Sequence, residues 1–222
     1  MSFIYKISKR LLDIIISLLL LILFSPLIIL VSIFILIFDQ MPIIFKDERI
    51  GKEGKIFILF KFRTMKEDTN NFFNKYLLEN NEAKIEWEST HKLKKDPRIT
   101  KLGFYLRKFS IDELPQLWNV LIGNMSLVGP RPILSDQTRK PLIPSLFFSS
   151  KINEKKYEKY LTKYITVNPG ITGLWQVSGR NEISYLHRIN LDLFYIENSS
   201  LFLDICILMK TIPVVFFGRG AY

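Results

Sequence analysis

The longest apolar run of the chain lies close to its N terminus. Ile14–Phe38 is a stretch of 25 consecutive residues without a charge, and almost all of them are Leu, Ile, Val or Phe. A helix needs about 20 apolar residues to cross a bilayer core, so we predict a membrane anchor within residues 1–40. A cleavable signal peptide is not expected, because its apolar region would be roughly 7–15 residues long and a small-residue cleavage site would follow it.

Ser25-Pro26 lies near the middle of this run. Proline kinks or breaks a helix because it lacks the backbone donor and clashes with the preceding turn, and a neighbouring Ser hydroxyl can satisfy a freed backbone group. The pair fits two alternatives: a kinked helix that spans the bilayer, and a re-entrant helix that enters and leaves on one face. Positive residues mark the cytoplasmic side of a membrane segment, but here they flank both ends, so both alternatives stay open.

Beyond the anchor, the pattern predicts one strand followed by amphipathic helices. Lys55–Arg63 is rich in β-branched and aromatic residues, as strands are, and Lys61 and Arg63 share one face at its end. A solvated strand terminus is the ordinary interpretation of such a pair. Apolar residues spaced i, i+3, i+4, i+7 predict one helix over Leu102–Phe109 and another over Leu114–Ile122. Residues 66–95 are polar and are expected to form helix and loop.

Two later segments also read as helices. Tyrosines recur at helical spacing over residues 157–164 and alternate with lysines, a combination that suits a bilayer interface. A soluble helix with an aromatic core stripe is the alternative. Leu201–Phe217 is strongly apolar, but charged residues and Pro213 interrupt it. We therefore predict a docked or interfacial helix there rather than a second membrane span.

Composition and charge narrow the class of protein. The 222 residues are 48% hydrophobic, which excludes a disordered tail protein. The single cysteine, Cys206, excludes a disulfide framework and a Cys-based zinc site, so a bound metal would be a hard ion held by carboxylates. A net charge of +10 indicates an anionic partner, such as nucleic acid, lipid headgroups or a phosphorylated substrate. No nucleic-acid module is visible, and we expect membrane lipid instead.

The pair Asp112-Glu113 is the leading candidate for chemistry. Its local alternative is purely structural: Ser110 or Asp112 would cap the following helix, and Glu113 would interact favourably with the helix dipole. Without further context, the structural role is the more common one for such a pair.

The basic residues around the pair change this balance. Arg107 and Arg131 are near in sequence, and Lys61, Arg63 and Arg180 could converge on the pair from elsewhere. A carboxylate beside guanidinium groups stays ionised and is placed to meet phosphate. A carboxylate can attack phosphorus to form an acyl phosphate, and attack by one anion on another needs Mg²⁺ and cations to offset the repulsion.

Seven motifs then occur in order along the chain, and together they carry a family resemblance. They are Asp47-Glu-Arg-Ile-Gly51, Lys61-Phe-Arg-Thr-Met65, Asp96-Pro-Arg-Ile-Thr100, the run Leu106 to Val120, Met125-Ser-Leu-Val-Gly-Pro-Arg-Pro132, the run Pro169 to Asn181, and Gly220-Ala-Tyr222. With them the chain resembles the bacterial sugar transferase family of monotopic phosphoglycosyl transferases, which start glycan assembly on polyprenyl phosphate. The resemblance covers most of the chain except residues 66–95 and 133–165.

The resemblance implies a specific reaction. Asp112 would attack the sugar-bearing phosphorus of a UDP-sugar, expel UMP and carry the phospho-sugar covalently. Polyprenyl phosphate, expected to be undecaprenyl phosphate, would then take the hexose-1-phosphate from the enzyme. Asp112 would also help to hold Mg²⁺, and Glu113 would be its acidic partner, either binding the metal or activating the acceptor phosphate.

The resemblance also implies roles for the remaining candidates. Arg107 and Arg131 would bind phosphate groups, and Arg180 is a candidate for contact with nucleotide or phosphate. Lys61 and Arg63 are further substrate-binding candidates.

For the architecture, the resemblance implies an α+β protein: a re-entrant membrane helix broken at Ser25-Pro26, within an anchor over residues 1–40, and a small catalytic domain over 41–222 with amphipathic interfacial helices. That domain would lie on the cytoplasmic face of the bacterial inner membrane and act in surface polysaccharide or glycoconjugate assembly. Asn124 stands where the family pattern has Asp, so no metal role is expected there. The long, basic segment 133–165 suggests an enlarged membrane contact. The identity of the sugar and a homo-oligomeric state are left open.

Two other functions compete with this one. A membrane-anchored protein that binds anionic lipid without catalysis would explain the charge and the anchor, but not the acidic pair. A glycosyltransferase that moves only the sugar would release UDP instead of UMP, and the released nucleotide discriminates between the two enzymes.

Overall fold

A computed structural model describes residues 3–40, 42–66, 70–90, 93, 95–134, 154–180 and 183–218. The helices are α1 (Phe3–Phe34), α2 (Asn70–Glu79), α3 (Asn81–Thr90), α4 (Lys101–Lys108), α5 (Gln116–Leu121), α6 (Glu154–Tyr164), α7 (Leu174–Val177), α8 (Tyr185–Asn198) and α9 (Leu201–Phe216). The strands are β1 (Ile44–Ile50), β2 (Ile56–Phe62), β3 (Ser126–Val128), β4 (Ile133–Leu134) and β5 (Gly170–Thr172). The predicted mixture of helices and strands is confirmed.

The N-terminal apolar run forms the long helix α1, which continues as a π-helical turn over Ile35–Asp39. The Ser25 hydroxyl donates to the Ile22 carbonyl oxygen at 2.8 Å, and the helix continues through Pro26. The break predicted at Ser25-Pro26 stays a prediction, because a proline removes only one backbone donor and can bend a helix without ending it. Its re-entrant path stays a prediction. Most apolar side chains of α1 are exposed, as a lipid-facing helix requires.

The first half of α1 is fixed to the rest of the chain by polar contacts. The Arg10 guanidinium donates to the carbonyl oxygens of Val120 and Leu121 at 2.6 and 2.7 Å, which satisfies the C-terminal end of α5. The buried Asp13 carboxylate accepts a hydrogen bond from the Leu127 backbone N–H at 3.0 Å. These bonds join the anchor directly to the elements that flank the acidic pair.

The second half of α1 is held by apolar packing. Val31 and Ile35 are buried in one cluster with Phe62 from β2 and Leu106 from α4. The same domain therefore contacts the anchor helix near both of its ends.

Two small sheets organise the domain. One is antiparallel with strand order β2-β1-β4, and the other pairs β3 with β5 in parallel. The predicted strand over 55–63 is confirmed as β2, whose Phe57 and Leu59 enter the main core while Lys61 lies at its far end. Asn119 of α5 binds the free edge of β2, accepting from the Phe60 N–H at 3.0 Å and donating to a carbonyl oxygen at 2.7 Å.

The two predicted mid-chain helices are confirmed as α4 and α5, and Gly123 ends the second one with a φ of +91°. The interfacial interpretation of the tyrosine stripe is wrong. Tyr160 and Tyr164 of α6 are buried at 4% and 0% exposure and pack against Ile189 of α8, because helical periodicity gives a core face and a lipid face the same spacing. Here Tyr160 and Tyr164 face α8.

The segment Leu201–Phe217 contains α9, which is docked on the domain as predicted. Its Asp204 is buried and bound by Tyr5, Lys9 and Tyr195. The motif at residues 220–222, Asn181 and most of the predicted membrane contact over 133–165 lie outside the described residues.

Candidate active site

The acidic pair lies on a single 3-10 turn, Ile111–Glu113, between α4 and α5. Ser110 has a positive φ of 56°, which turns the chain sharply after α4, and Pro115 then leads into α5. The Ser110 side chain makes no capping bond to this turn. Its hydroxyl instead accepts from the Arg180 guanidinium at 2.9 Å. The capping alternative for Ser110 is therefore wrong.

Glu113 is held between two cations. Its Oε1 accepts from the Lys61 ammonium at 2.9 Å and from the Arg131 guanidinium at 3.1 Å. Burial by itself would raise the pKa of Glu113, but the charges of Lys61 and Arg131 outweigh it and hold that pKa well below the ordinary range. Glu113 is therefore a fixed anion that orients two cations.

Asp112 has a different environment from its neighbour. Its side chain is buried at 8% exposure, and its carboxylate accepts no hydrogen bond from any residue that the structure describes. Burial, followed by the negative charge of Glu113, raises the pKa of Asp112 above its ordinary value, while Lys61 and Arg107 oppose this shift. The carboxylate is thus available to a ligand while cations surround it.

The other predicted cations are also placed at or near this site. Arg107 donates to the Thr64 hydroxyl at 2.8 Å; burial lowers the pKa of its guanidinium and the charge of Asp112 raises it. Arg63 borders the same cavity, but it donates to a carbonyl oxygen at 3.2 Å and lies over the Phe45 ring. The structure thus brings Lys61, Arg107, Arg131 and Arg180 around the pair, and it holds Arg63 at the margin.

The loop that carries Arg131 depends on close backbone packing. A Cβ atom at Gly129 would lie 2.6 Å from the Asn168 carbonyl oxygen, and one at Gly170 would lie 2.1 Å from the Gly129 nitrogen. Only glycine permits this approach of β3 and β5. The guanidinium of Arg49 adds a hydrogen bond of 3.1 Å to the Pro132 carbonyl oxygen, so two distant motifs jointly position Arg131.

All of these groups border one cavity of about 1420 Å³. The part of its lining that α1 and α9 supply is largely apolar, and we call it the apolar end. The polar and aromatic side chains that α6, α7 and α8 supply to the lining are called the polar end. The apolar wall includes Leu20, Phe24, Leu27, Leu208, Met209 and Ile212, and the polar end includes Tyr160, Trp175, Tyr185, Arg188 and Asp192.

Sequence reasoning assigned no role in the site to any of these residues. Asp192 and Arg188 lie on α8 at i and i−4, a spacing equally typical of any amphipathic helix. Trp175 lies within the motif Pro169 to Asn181, but the resemblance implied no role for it. The signal that could have drawn attention to α8 was the presence of Asp192 on the apolar, inward face of the helix.

The carboxylates of the site could bind one hard cation only together with phosphate oxygens of the substrate. Among the residues that the structure describes, no group of three or more His, Cys, Asp or Glu side chains could hold a metal ion. Mg²⁺, however, is commonly bound by one or two carboxylates together with substrate phosphates. The accessible Asp112 carboxylate suits that arrangement, whereas Glu113 already binds two cations.

Comparison with known proteins adds independent evidence. A family model described as bacterial sugar transferase matches residues 4–218. The chain is 42% identical over 216 residues to the exopolysaccharide production protein ExoY of Sinorhizobium fredii, covering 97% of this chain and 88% of that protein.

Two longer relatives have more specific names. The chain is 43% identical over 214 residues to the undecaprenyl-phosphate galactose phosphotransferase of Salmonella typhimurium, and 37% identical over 221 residues to the UDP-glucose:undecaprenyl-phosphate glucose-1-phosphate transferase of Klebsiella pneumoniae. Each alignment covers 96% of this chain but only 41% of the relative. The matched part includes the acidic pair and the cations around it.

Proposed function

Because this chain belongs to the bacterial sugar transferase family, we propose that it transfers a hexose-1-phosphate from a UDP-sugar to undecaprenyl phosphate and releases UMP. One observation carries the proposal: the buried Asp112 carboxylate has no hydrogen-bond donor among the described residues and lies beside Glu113, Lys61 and Arg131 in a cavity that reaches the anchor helix. The names of the Salmonella and Klebsiella relatives support the donor and acceptor classes. Surface polysaccharide synthesis is the expected setting.

In the first half-reaction, a carboxylate oxygen of Asp112 would attack the sugar-bearing phosphorus. A new bond would form between Asp112 and phosphorus, and the bond from phosphorus to the oxygen of UMP would break, so that UMP leaves with that electron pair. Both partners are anions, and the barrier depends on offsetting their repulsion. Lys61, Arg107 and Arg131 supply fixed positive charge around the attacking oxygen.

In the second half-reaction, a phosphate oxygen of the lipid acceptor would attack the same phosphorus. The bond from phosphorus to Asp112 would break, which regenerates the carboxylate and leaves a diphosphate-linked sugar on the lipid. We assign Glu113 the role of holding Lys61 and Arg131 in place. Its depressed pKa makes it a poor proton acceptor.

We propose that Asp112 and the substrate phosphates together hold Mg²⁺, since this ion is commonly bound by one or two carboxylates and by phosphate oxygens. When bound, the ion would offset the negative charge of the diphosphate and of the leaving UMP. Lys61, Arg107 and Arg131 would offset the same charge as fixed cations of the chain.

We further propose that α1 is re-entrant, on the cytoplasmic face of the bacterial inner membrane. Arg10 and Ile35 would be about 38 Å apart along a straight helix, more than the roughly 30 Å of a hydrocarbon core. Both residues nevertheless contact the same domain. A domain on one face of the membrane can keep both contacts if the helix bends back at Ser25-Pro26.

The topology can be tested by cysteine labelling in a Cys206→Ser background. Cysteines replacing Phe3 and Gln40 should both react from the cytoplasmic side and neither from the periplasmic side. Labelling of the two positions from opposite sides would show a spanning helix and contradict the re-entrant proposal.

The apolar end of the cavity suits the acceptor lipid. Leu20, Phe24 and Leu27 of α1 and Leu208 and Ile212 of α9 all line the cavity. An isoprenoid chain could lie against these side chains while its phosphate reaches Asp112. The burial of apolar surface would favour this pose by roughly 25 cal/mol per Å².

The reaction is tested with detergent-purified protein, Mg²⁺, undecaprenyl phosphate and a panel of UDP-sugars, with release of UMP as the readout. One sugar should give UMP, and Asp112→Asn should reduce the rate by 10³-fold or more, on the order seen for loss of a nucleophile. Intact mass spectrometry without acceptor should detect a phospho-sugar adduct in the wild type and none in Asp112→Asn.

Glu79→Gln serves as a matched control, because Glu79 is an exposed carboxylate on α2. It should keep full activity. Release of UDP would indicate transfer of the sugar alone, and anionic-lipid binding without release of any nucleotide would favour the non-catalytic alternative.

A further inference from the structure

A second buried carboxylate borders the cavity at its polar end. Asp192 of α8 is 4% exposed, and its Oδ2 accepts from the Tyr160 hydroxyl at 3.2 Å. Its Oδ1 has no hydrogen-bond partner among the residues that the structure describes. Buried polar atoms are nearly always hydrogen-bonded, so the unpaired oxygen of this cavity-lining residue needs a partner that the described residues do not supply.

Two guanidinium groups and an indole ring accompany Asp192 in the lining of the cavity. The Arg188 guanidinium lies 4.5 Å from the centroid of the Trp175 ring. The Arg131 guanidinium, which also donates to Glu113, lies 6.0 Å from the same centroid. Arg131 therefore belongs both to the acidic pair and to this pocket. A substrate whose phosphate binds Arg131 would place its neighbouring groups near Trp175 and Asp192.

A structural role alone does not account for Asp192. The bond from Tyr160 joins α6 to α8, but it occupies only Oδ2. Burial raises the pKa of Asp192 to about 8, against the opposing effects of the Tyr160 hydrogen bond and of Arg188. The group is thus able to hold or release a proton near neutral pH. A hydroxyl group both donates and accepts hydrogen bonds, so it can pair with Oδ1 whether Asp192 is protonated or ionised.

We propose that Asp192 binds a hydroxyl group of the nucleotide-sugar donor through Oδ1 and is a specificity-determining residue for that donor. This inference rests on the proposed function. The hydroxyl has two sources, the hexose and the ribose of the nucleoside. Both lie close to the diphosphate, and the experiment distinguishes them.

The test measures binding, so that it does not depend on turnover. Full-length protein carrying Asp112→Asn keeps the donor intact, and its affinity for the UDP-sugar is compared with and without Asp192→Ala by calorimetry. The same pair of proteins is titrated with donors that lack one hexose hydroxyl at a time, and with the 2′-deoxyuridine and 3′-deoxyuridine donors.

In the protein with Asp192, loss of the recognised hydroxyl should weaken binding by about tenfold or more, because the buried oxygen is left unpaired. In the Asp192→Ala protein, the same analogue should bind within about twofold of the intact donor. A hexose analogue giving this pattern identifies the sugar as the source, and a deoxyuridine donor giving it identifies the ribose.

Asp192→Asn provides a second variant that keeps the shape of the side chain and an acceptor for Tyr160. Its thermal unfolding temperature should match that of the parent protein. The analogue that loses the most affinity should nevertheless differ between Asp192→Asn and the parent. Equal penalties for every analogue with and without Asp192 would overturn the inference. If the wild-type protein releases no UMP, the proposed reaction is overturned. The comparison of donor affinities with and without Asp192 would still be valid.

Discussion

Two regions of the cavity contain carboxylates with little exposure, Glu113 at 17% and Asp192 at 4%, and their environments affect the charge in opposite ways. Glu113 is bound by Lys61 and Arg131, and its pKa is held well below the ordinary range although burial alone would raise it. Asp192 is bound only by the Tyr160 hydroxyl among described residues, and burial raises its pKa to about 8. The first region fixes a charge, and the second region permits the charge to change.

This difference suits two kinds of recognition. A fixed array of one anion and several cations is suited to phosphoryl groups, whose charge must be offset throughout the reaction. A carboxyl group close to neutrality is suited to a hydroxyl, which carries no charge. Asp112 lies between these extremes, because burial and Glu113 raise its pKa while Lys61 and Arg107 lower it.

The largest expected effect within this comparison comes from Glu113→Gln. The amide keeps an acceptor for Lys61 and Arg131 but removes the charge that holds them, so the rate of UMP release should fall on the order of 10²-fold. A matched Glu79→Gln variant should be unaffected. Full activity in Glu113→Gln would show that the fixed anion is not required.

The pH profile of the wild type tests the raised pKa of Asp112. Only the ionised carboxylate can attack phosphorus, so kcat/KM for the donor should fall about tenfold per pH unit once the pH is below that pKa. The midpoint should lie above the ordinary Asp value of about 3.9. Removing the charge of Glu113 should move this acidic limb to lower pH, and a shift to higher pH would contradict the assignment.

Arg131→Lys should have a smaller effect. Lysine keeps the positive charge but loses the planar fork that reaches Glu113 and the Trp175 ring. We expect KM for the UDP-sugar to rise about tenfold with a smaller change in kcat. A change confined to kcat would indicate that Arg131 acts on the transition state alone.

The smallest effect is expected from Tyr160→Phe. Phenylalanine fills the same space in the core but removes the hydrogen bond to Asp192. The free energy of unfolding should fall by about 1 kcal/mol, measured by chemical denaturation in detergent. A loss several times larger would show that the hydroxyl does more than bind Asp192.

Elements with a strong local signal were predictable. The strand β2 and the helices α4 and α5 follow from alternation, helical spacing and a terminal glycine, and the long helix α1 follows from the length of its apolar run. The face of a helix that meets the core is less predictable. Tyr160 and Tyr164 have the same spacing whether they face lipid or α8, and only packing decided between them.

The candidate site divides in the same way. Asp112 and Glu113 stood out because two acidic residues lie together among basic ones, and the motifs around them were sufficient to indicate a family. Their pairing with Lys61 and Arg131 joins residues 52 and 18 positions from Glu113. The sequence contained all four residues, but not their distances.

The sequence by itself determined the long apolar N-terminal helix, the principal helices, the acidic pair and the family, because each depends on residues that are close together along the chain. Tertiary structure alone decided that Glu113 is a fixed anion, that Asp112 is left available, and that Asp192 enters the same cavity. Burial and the approach of distant charges set the state of an ionisable group. Neither is a property of local sequence.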